Sequence, residues 1–163
     1  MHVRRARYED LAAVGDLTVA AYEDFLDGPD DPYVDHLRNA EARYAEAELW
    51  VAVAEDDQQI LGAVTICPDG SPWREIGVAD EGEFRMLAVS PEAQGRGIGE
   101  ALVRFCLDRF REAGSTAVVL SSLAEMSGAH RIYERLGFQR SPDRDWEPYA
   151  GVHLLTYRKD LAE

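Results

Sequence analysis

The chain has 163 residues, 46% hydrophobic and 29% charged, the makeup of one globular domain large enough to bury a core. A formal net charge of -14 excludes a general nucleic-acid binder, which needs basic surface; it suits solubility and draws cationic ligands over long range. No apolar run approaches bilayer length and the N-terminus lacks a signal-peptide core, so the expectation is a cytoplasmic protein without a membrane partner.

His2 to Arg7 suits a first strand. Leu11, Val14, Leu17, Ala21, Tyr22 and Phe25 recur at helical spacing, and Gly28-Pro29-Asp30 breaks that helix. Asp31 then caps and Pro32 opens a second helix striped by Val34, Leu37, Ala40 and Tyr44. Trp50 to Ala54 and Ile60 to Ile66 read as a hairpin over the polar turn 55–58. Residues from about Pro68 to Gly82 make a long loop, and long loops inside compact domains are often functional.

Glu83 to Val89 is the next strand, followed by a glycine-rich loop and a helix with Ile98, Ala101, Leu102, Phe105, Cys106 and Phe110 on its buried face. Gly114 stops that helix. Ala117 to Leu120 is a buried strand, Ser127 to Leu136 a helix, and the tail holds strands at Val152–Tyr157 and near Phe138–Arg140. Cys67 and Cys106 read as buried thiols outside any disulfide framework, and no set of residues has metal-ligand spacing. The order of elements gives one α/β domain over residues 1–163, a mixed sheet of six to seven strands with about four helices. The sequence leaves a homodimer open.

The segment Val89-Ser90-Pro91-Glu92-Ala93-Gln94-Gly95-Arg96-Gly97-Ile98-Gly99-Glu100 carries most of the chemistry. A strand running through glycines into a helix aims several backbone N–H groups at one spot, where the helix dipole favours a phosphate. A nucleotide P-loop needs Lys-Ser or Lys-Thr after its last glycine, and Glu100-Ala101 stand there. A dinucleotide fingerprint from Gly95 needs glycine where Glu100 stands.

The remaining pattern, Gln94-x-x-Gly97-x-Gly99, resembles the Q/R-x-x-G-x-G/A loop of the GNAT superfamily of acetyl-CoA-dependent N-acetyltransferases. A second block, Ala129-His130-Arg131-Ile132-Tyr133-Glu134-Arg135-Leu136-Gly137-Phe138, looks like that superfamily's A-x-x-x-Y-E-K-x-G-F helix. The order of elements agrees over nearly the whole chain.

This resemblance implies a splayed strand pair that holds the pantetheine arm of acetyl-CoA. It implies that amides of Gly95, Arg96, Gly97, Ile98, Gly99 and Glu100 cradle the pyrophosphate, with Gln94 shaping the entry and the Arg96 side chain near a phosphate. Backbone groups of Leu87, Ala88 and Val89 are expected to pair with the arm, a Val89 or neighbouring N–H polarising the thioester carbonyl. Tyr133 is the expected proton donor to the leaving thiolate, and Glu83 the expected base for the amine, with Asp80 and Glu81 close by. Many relatives carry an Asn against the arm where Met126 stands; Ser127 follows it.

The acceptor site is expected between the first two helices and the Pro68–Gly82 loop. There Tyr22, Asp27, Tyr33 and Trp73 suit a cationic amine, a small molecule or a protein amine. The implied activity is direct acetyl transfer to that amine in a ternary complex. The other readings are a non-catalytic acyl-CoA sensor, which has no need of Tyr133, and an acyltransferase with a different donor.

Overall fold

A computed structural model describes residues 1–161. Strands β1 (His2–Arg5), β2 (Glu48–Val53), β3 (Ile60–Ile66) and β4 (Glu81–Val89) run antiparallel to one another in that order. β4 pairs in parallel with β5 (Ala117–Leu123), which pairs antiparallel with β8 (Val152–Asp160). β8 also carries β6 (Gln139–Arg140) and β7 (Trp146–Tyr149). This is the expected mixed sheet, with eight strands rather than six to seven among the described residues.

Helices cover both faces, which is why β2 and β3 read as nearly continuous apolar runs rather than alternating ones. On one face, α1 (Leu11–Tyr22) and α3 (Ala40–Glu46) pack Leu11, Val14 and Ala40 against Leu49, Val51 and Val53. On the other, α4 (Ile98–Glu112) sets Leu102, Val103, Cys106 and Phe110 against Ala52, Val64, Ile66 and Phe84. Both cysteines are free and buried, and burial pushes their thiols well above the ordinary range. Among the described residues, no helix is long and apolar enough to cross a membrane.

Two elements depart from expectation. The second helix divides into α2 (Tyr33–Arg38) and α3, because Asn39 leaves the helical conformation and its side-chain oxygen accepts the Ala42 N–H at 3.1 Å. An asparagine cap starts a new helix there. Arg43, 1% exposed, bonds the His36 and Leu37 carbonyls at 3.2 and 3.0 Å, satisfying the end of α2. The second departure is β7, a short strand holding Pro148 and joined to β8 through Gly151 at φ 84°. With α5 (Ser127–Arg135), the described residues hold five helices rather than about four.

Glu81 ties this tail to the sheet. Its carboxylate takes two 2.9 Å bonds from Arg144, one of 3.0 Å from Arg158 and one of 3.1 Å from the Val78 amide. Burial alone raises its pKa, but these bonds outweigh it and hold the group at about 2, below the ordinary 4.5. A depressed carboxylate stabilises the fold fully above its unfolded value. That contribution, about 3 kcal/mol, is lost as the pH falls from near 4.5 towards 2. Denaturant titrations across that window are expected to show the loss in the native chain and a flatter profile in Glu81→Gln.

Candidate active site

The sheet opens at its centre. β4 and β5 pair at Glu81–Glu83 against Ala117–Val119, and beyond that β4 follows β3 while β5 follows β8. The expected splay is therefore present. A bulge sharpens it: Met86 and Leu87 together oppose Val64, with Met86 in the left-handed region at φ 52°.

The bulge decides which backbone groups face the gap. Ser90 N–H bonds Leu61 O at 2.9 Å, and two residues back Ala88 stands opposite Ala63 in the same phase. Antiparallel alternation then turns the N–H and C=O of Leu87 and Val89 into the gap. Ala88, expected to pair with the arm, instead spends its backbone bonds on β3. Leu87 O already accepts the Tyr22 hydroxyl at 3.3 Å. Across the gap His130 Nε2–H donates to Leu123 O at 3.0 Å.

Past β4, a single turn at Pro91–Ala93 leads into the glycine loop. Gly95 and Gly97 both have φ 79°, a conformation costly for other residues, and nothing lies within 4 Å of where their Cβ atoms would be. Gly97 caps α4 with no side chain, so no capping side chain claims the amides of Ile98, Gly99 and Glu100 ahead of the first helical bond, Ala101 N–H to Gly97 O, at the positive end of a 15-residue helix. Gly99 permits close approach of α5: a Cβ there would stand 3.1 Å from Ile132 Cδ1 and 3.5 Å from Val89 Cγ2. Gln94 and Arg96 are exposed on this loop. The Glu100 carboxylate is drawn to Arg135 at 2.8 Å and Arg104 at 3.2 Å, which also lowers its pKa. That pairing offsets the one negative charge beside the amides.

Tyr133 reaches the gap from α5 and is 4% exposed. Its ring is set by Tyr157, Phe138 and Phe84 at centroid distances of 5.7, 5.8 and 6.2 Å. Burial raises the phenol pKa, so the hydroxyl carries its proton throughout the physiological range. Met126 stands at the start of α5 and also lines the gap, offering it a thioether where an amide was the resemblance's pattern.

The opposite wall of the cleft is aromatic. Tyr22 and Tyr33 line it, and Tyr33 contacts His36 at 5.2 Å and Tyr149 at 6.3 Å. Trp73, 7% exposed, stacks on His36 at 5.0 Å and takes the Arg85 guanidinium over its ring at 5.5 Å. Burial, then Arg85 and Arg43, lowers His36 to about 4, leaving it neutral at pH 7. Asp27 lies apart, exposed, with its amide bonded to Asp31 at 3.0 Å.

Glu83 is not placed as a free base. It is 1% exposed, and its carboxylate accepts the amides of Glu75 at 3.1 Å, Ile76 at 3.0 Å and Gly77 at 2.8 Å. The residue it presents to the cleft, Glu75, and the Arg85 beside it escaped sequence reasoning. The signal for Glu75 was its position in the long Pro68–Gly82 loop.

The split parallel pair with a glycine loop at its mouth is the arrangement that the sequence resemblance implies. The sequence pattern of the acetyltransferase (GNAT) family matches residues 12–138, and the chain belongs to that family. A mycothiol acetyltransferase of Cellulomonas flavigena is 34% identical over 122 residues, 68% of this chain and 34% of the relative. The chain thus spans about a third of the length of that curated relative. A GNAT acetyltransferase of Staphylococcus aureus superposes with TM-score 0.77 at 13% identity over 99% of both chains. A putative acetyltransferase of Salmonella typhimurium, solved with its cofactor acetyl-CoA, gives TM-score 0.71 at 21% identity over 100% of this chain and 95% of that one.

Proposed function

We propose that the chain transfers the acetyl group of acetyl-CoA to a primary amine by direct attack in a ternary complex. The observation that carries the proposal is the juxtaposition of Tyr133, the inward-turned Leu87 and Val89 backbone and the unclaimed α4 amides along one gap. An extended amide-bearing arm fits between strands that no longer pair, because it supplies the missing hydrogen-bond partners. Its pyrophosphate falls at the glycine loop. The relatives named mycothiol acetyltransferase favour a small-molecule acceptor.

The residues divide the work. The Val89 N–H polarises the thioester carbonyl and meets the charge that develops on its oxygen. Tyr133 donates a hydrogen bond or proton to the departing sulfur, whose thiol is far more acidic than the buried phenol, so the proton is shared late. The aromatic wall of Tyr22 and Tyr33 accepts the amine side, while Trp73, buried and stacked on His36, supports it from behind rather than lining the gap.

Release of CoA thiol against a panel of amines, with mass detection of the acetylated product, tests the activity. Binding of CoA by thermal shift without any acetylated product would favour the sensor reading. The glycine loop has its own test. Gly97→Val places a β-branched residue at φ 79°, costing roughly 1–2 kcal/mol of loop distortion and weakening CoA about tenfold by calorimetry. An unchanged Kd would remove the loop from the cofactor site.

A further inference from the structure

We infer that Glu75 is the general base for the acceptor ammonium and that Glu83 is a positioning residue that fixes Glu75 in the cleft. The inference rests on the acetyltransferase reading above. Four carboxylates stand near the start of β4, and the structure disposes of three. Asp80 lines a different cavity, with Arg109, Phe110 and Gly114. Glu81 is bound by Arg144, Arg158 and the Val78 amide on the tail side of the sheet. Glu83 spends its oxygens on three consecutive backbone amides and is sealed from solvent.

Glu75 is the carboxylate that remains. Its side chain is 32% exposed and lines the same gap as Tyr133, Tyr22, Tyr33 and Leu87. Its backbone N–H is gripped by Glu83 and its carboxylate lies 2.8 Å from Arg85, itself bonded to Trp73 O at 3.3 Å. Backbone and side chain are thus fixed from β4, the strand whose far end holds the thioester contacts. A base on a preset loop loses little entropy when it engages the amine.

The surroundings make Glu75 a better proton acceptor than a free carboxylate. Burial raises the Glu75 pKa, Arg85 opposes it and Glu83 adds to it. The titratable groups beside it are Tyr33 from α2 and Cys67 just past β3, with Tyr22 and Tyr133 along the same gap, all raised by burial and neutral at pH 7. The charge balance closes. One ammonium proton moves to a Glu75 oxygen, and the freed nitrogen pair forms the N–C bond. The C–S pair leaves on sulfur, which takes the Tyr133 proton. The second amine proton restores Tyr133, and Glu75 returns its own to water.

The test is a kcat/KM profile against pH for the wild type, Glu75→Gln and Glu83→Gln, with CoA affinity and unfolding measured on each. Glu75→Gln is expected to lower kcat/KM about 100-fold near neutrality and abolish the acidic limb, with CoA affinity and unfolding unchanged. The deficit should shrink as the pH approaches the amine's own pKa, where no base is needed. Glu83→Gln is expected to keep the acidic limb while unfolding at lower denaturant. A wild-type acidic limb in Glu75→Gln, or loss of that limb in a fully stable Glu83→Gln, overturns the inference and leaves the acetyltransferase reading standing. A wild type that binds acetyl-CoA but acetylates no amine in the panel overturns both.

Discussion

Replacing Tyr133 by Phe lowers kcat about 100-fold, the low end of what a positioned acid contributes, while CoA affinity and stability hold. The physical basis is the separation of ring from hydroxyl. Phe84, Phe138 and Tyr157 surround the ring with aromatic edges and faces that a phenylalanine meets equally well. Tyr133 lines the gap, and on the proposed reading its hydroxyl serves the departing sulfur there. Since burial keeps the phenol protonated, the wild-type rate carries no basic limb from Tyr133 below pH 10. The measurement is a kcat and KM comparison at saturating acetyl-CoA, with unfolding curves on both proteins. Full turnover in the variant would return Tyr133 to a packing role.

Glu83→Ala produces the largest expected loss of stability at the site. It removes a carboxylate that is itself 1% exposed and strips the acceptor from three amides, those of Glu75, Ile76 and Gly77. Donors left unpaired away from water cost about 1–3 kcal/mol each, and because Glu75, Ile76 and Gly77 are exposed or half-buried, water recovers much of it, so the net is about 3 kcal/mol. For a domain of this size that corresponds to a fall of about 9 °C in Tm. The same change frees Glu75 from its anchor, so kcat falls along with stability. Thermal unfolding checks the first effect. An unaltered Tm would mean that water replaces the carboxylate without loss.

Legibility followed the physics of each element. The strand, glycine loop and helix from Glu83 to Glu112 were readable because spacing, dipole and positive-φ glycines all act locally. The Tyr133 helix was readable for the same reason, from its pattern alone. The backbone phase at Ala88 was not legible because the bulge at Met86 shifts the alternation, and no residue type announces that shift. β7 was hidden by Pro148, which argues against a strand until an edge position admits it. The break at Asn39 had a cap residue in plain view, but the apolar stripe ran through it. The roles of Glu75, Glu81 and Glu83 were beyond sequence reasoning. Three glutamates lie within nine positions, and partners from loops and from a distant tail separate them.

The account stands most directly on coupling between cofactor turnover and amine acetylation. Purified protein is mixed with acetyl-CoA and each amine of the panel, and free thiol and acetylated amine are quantified together. The account predicts at least one amine for which the two appear in equal amounts and for which both fall together in Tyr133→Phe. Tight CoA binding with no acetylated amine, or thiol release that no amine product matches, contradicts it.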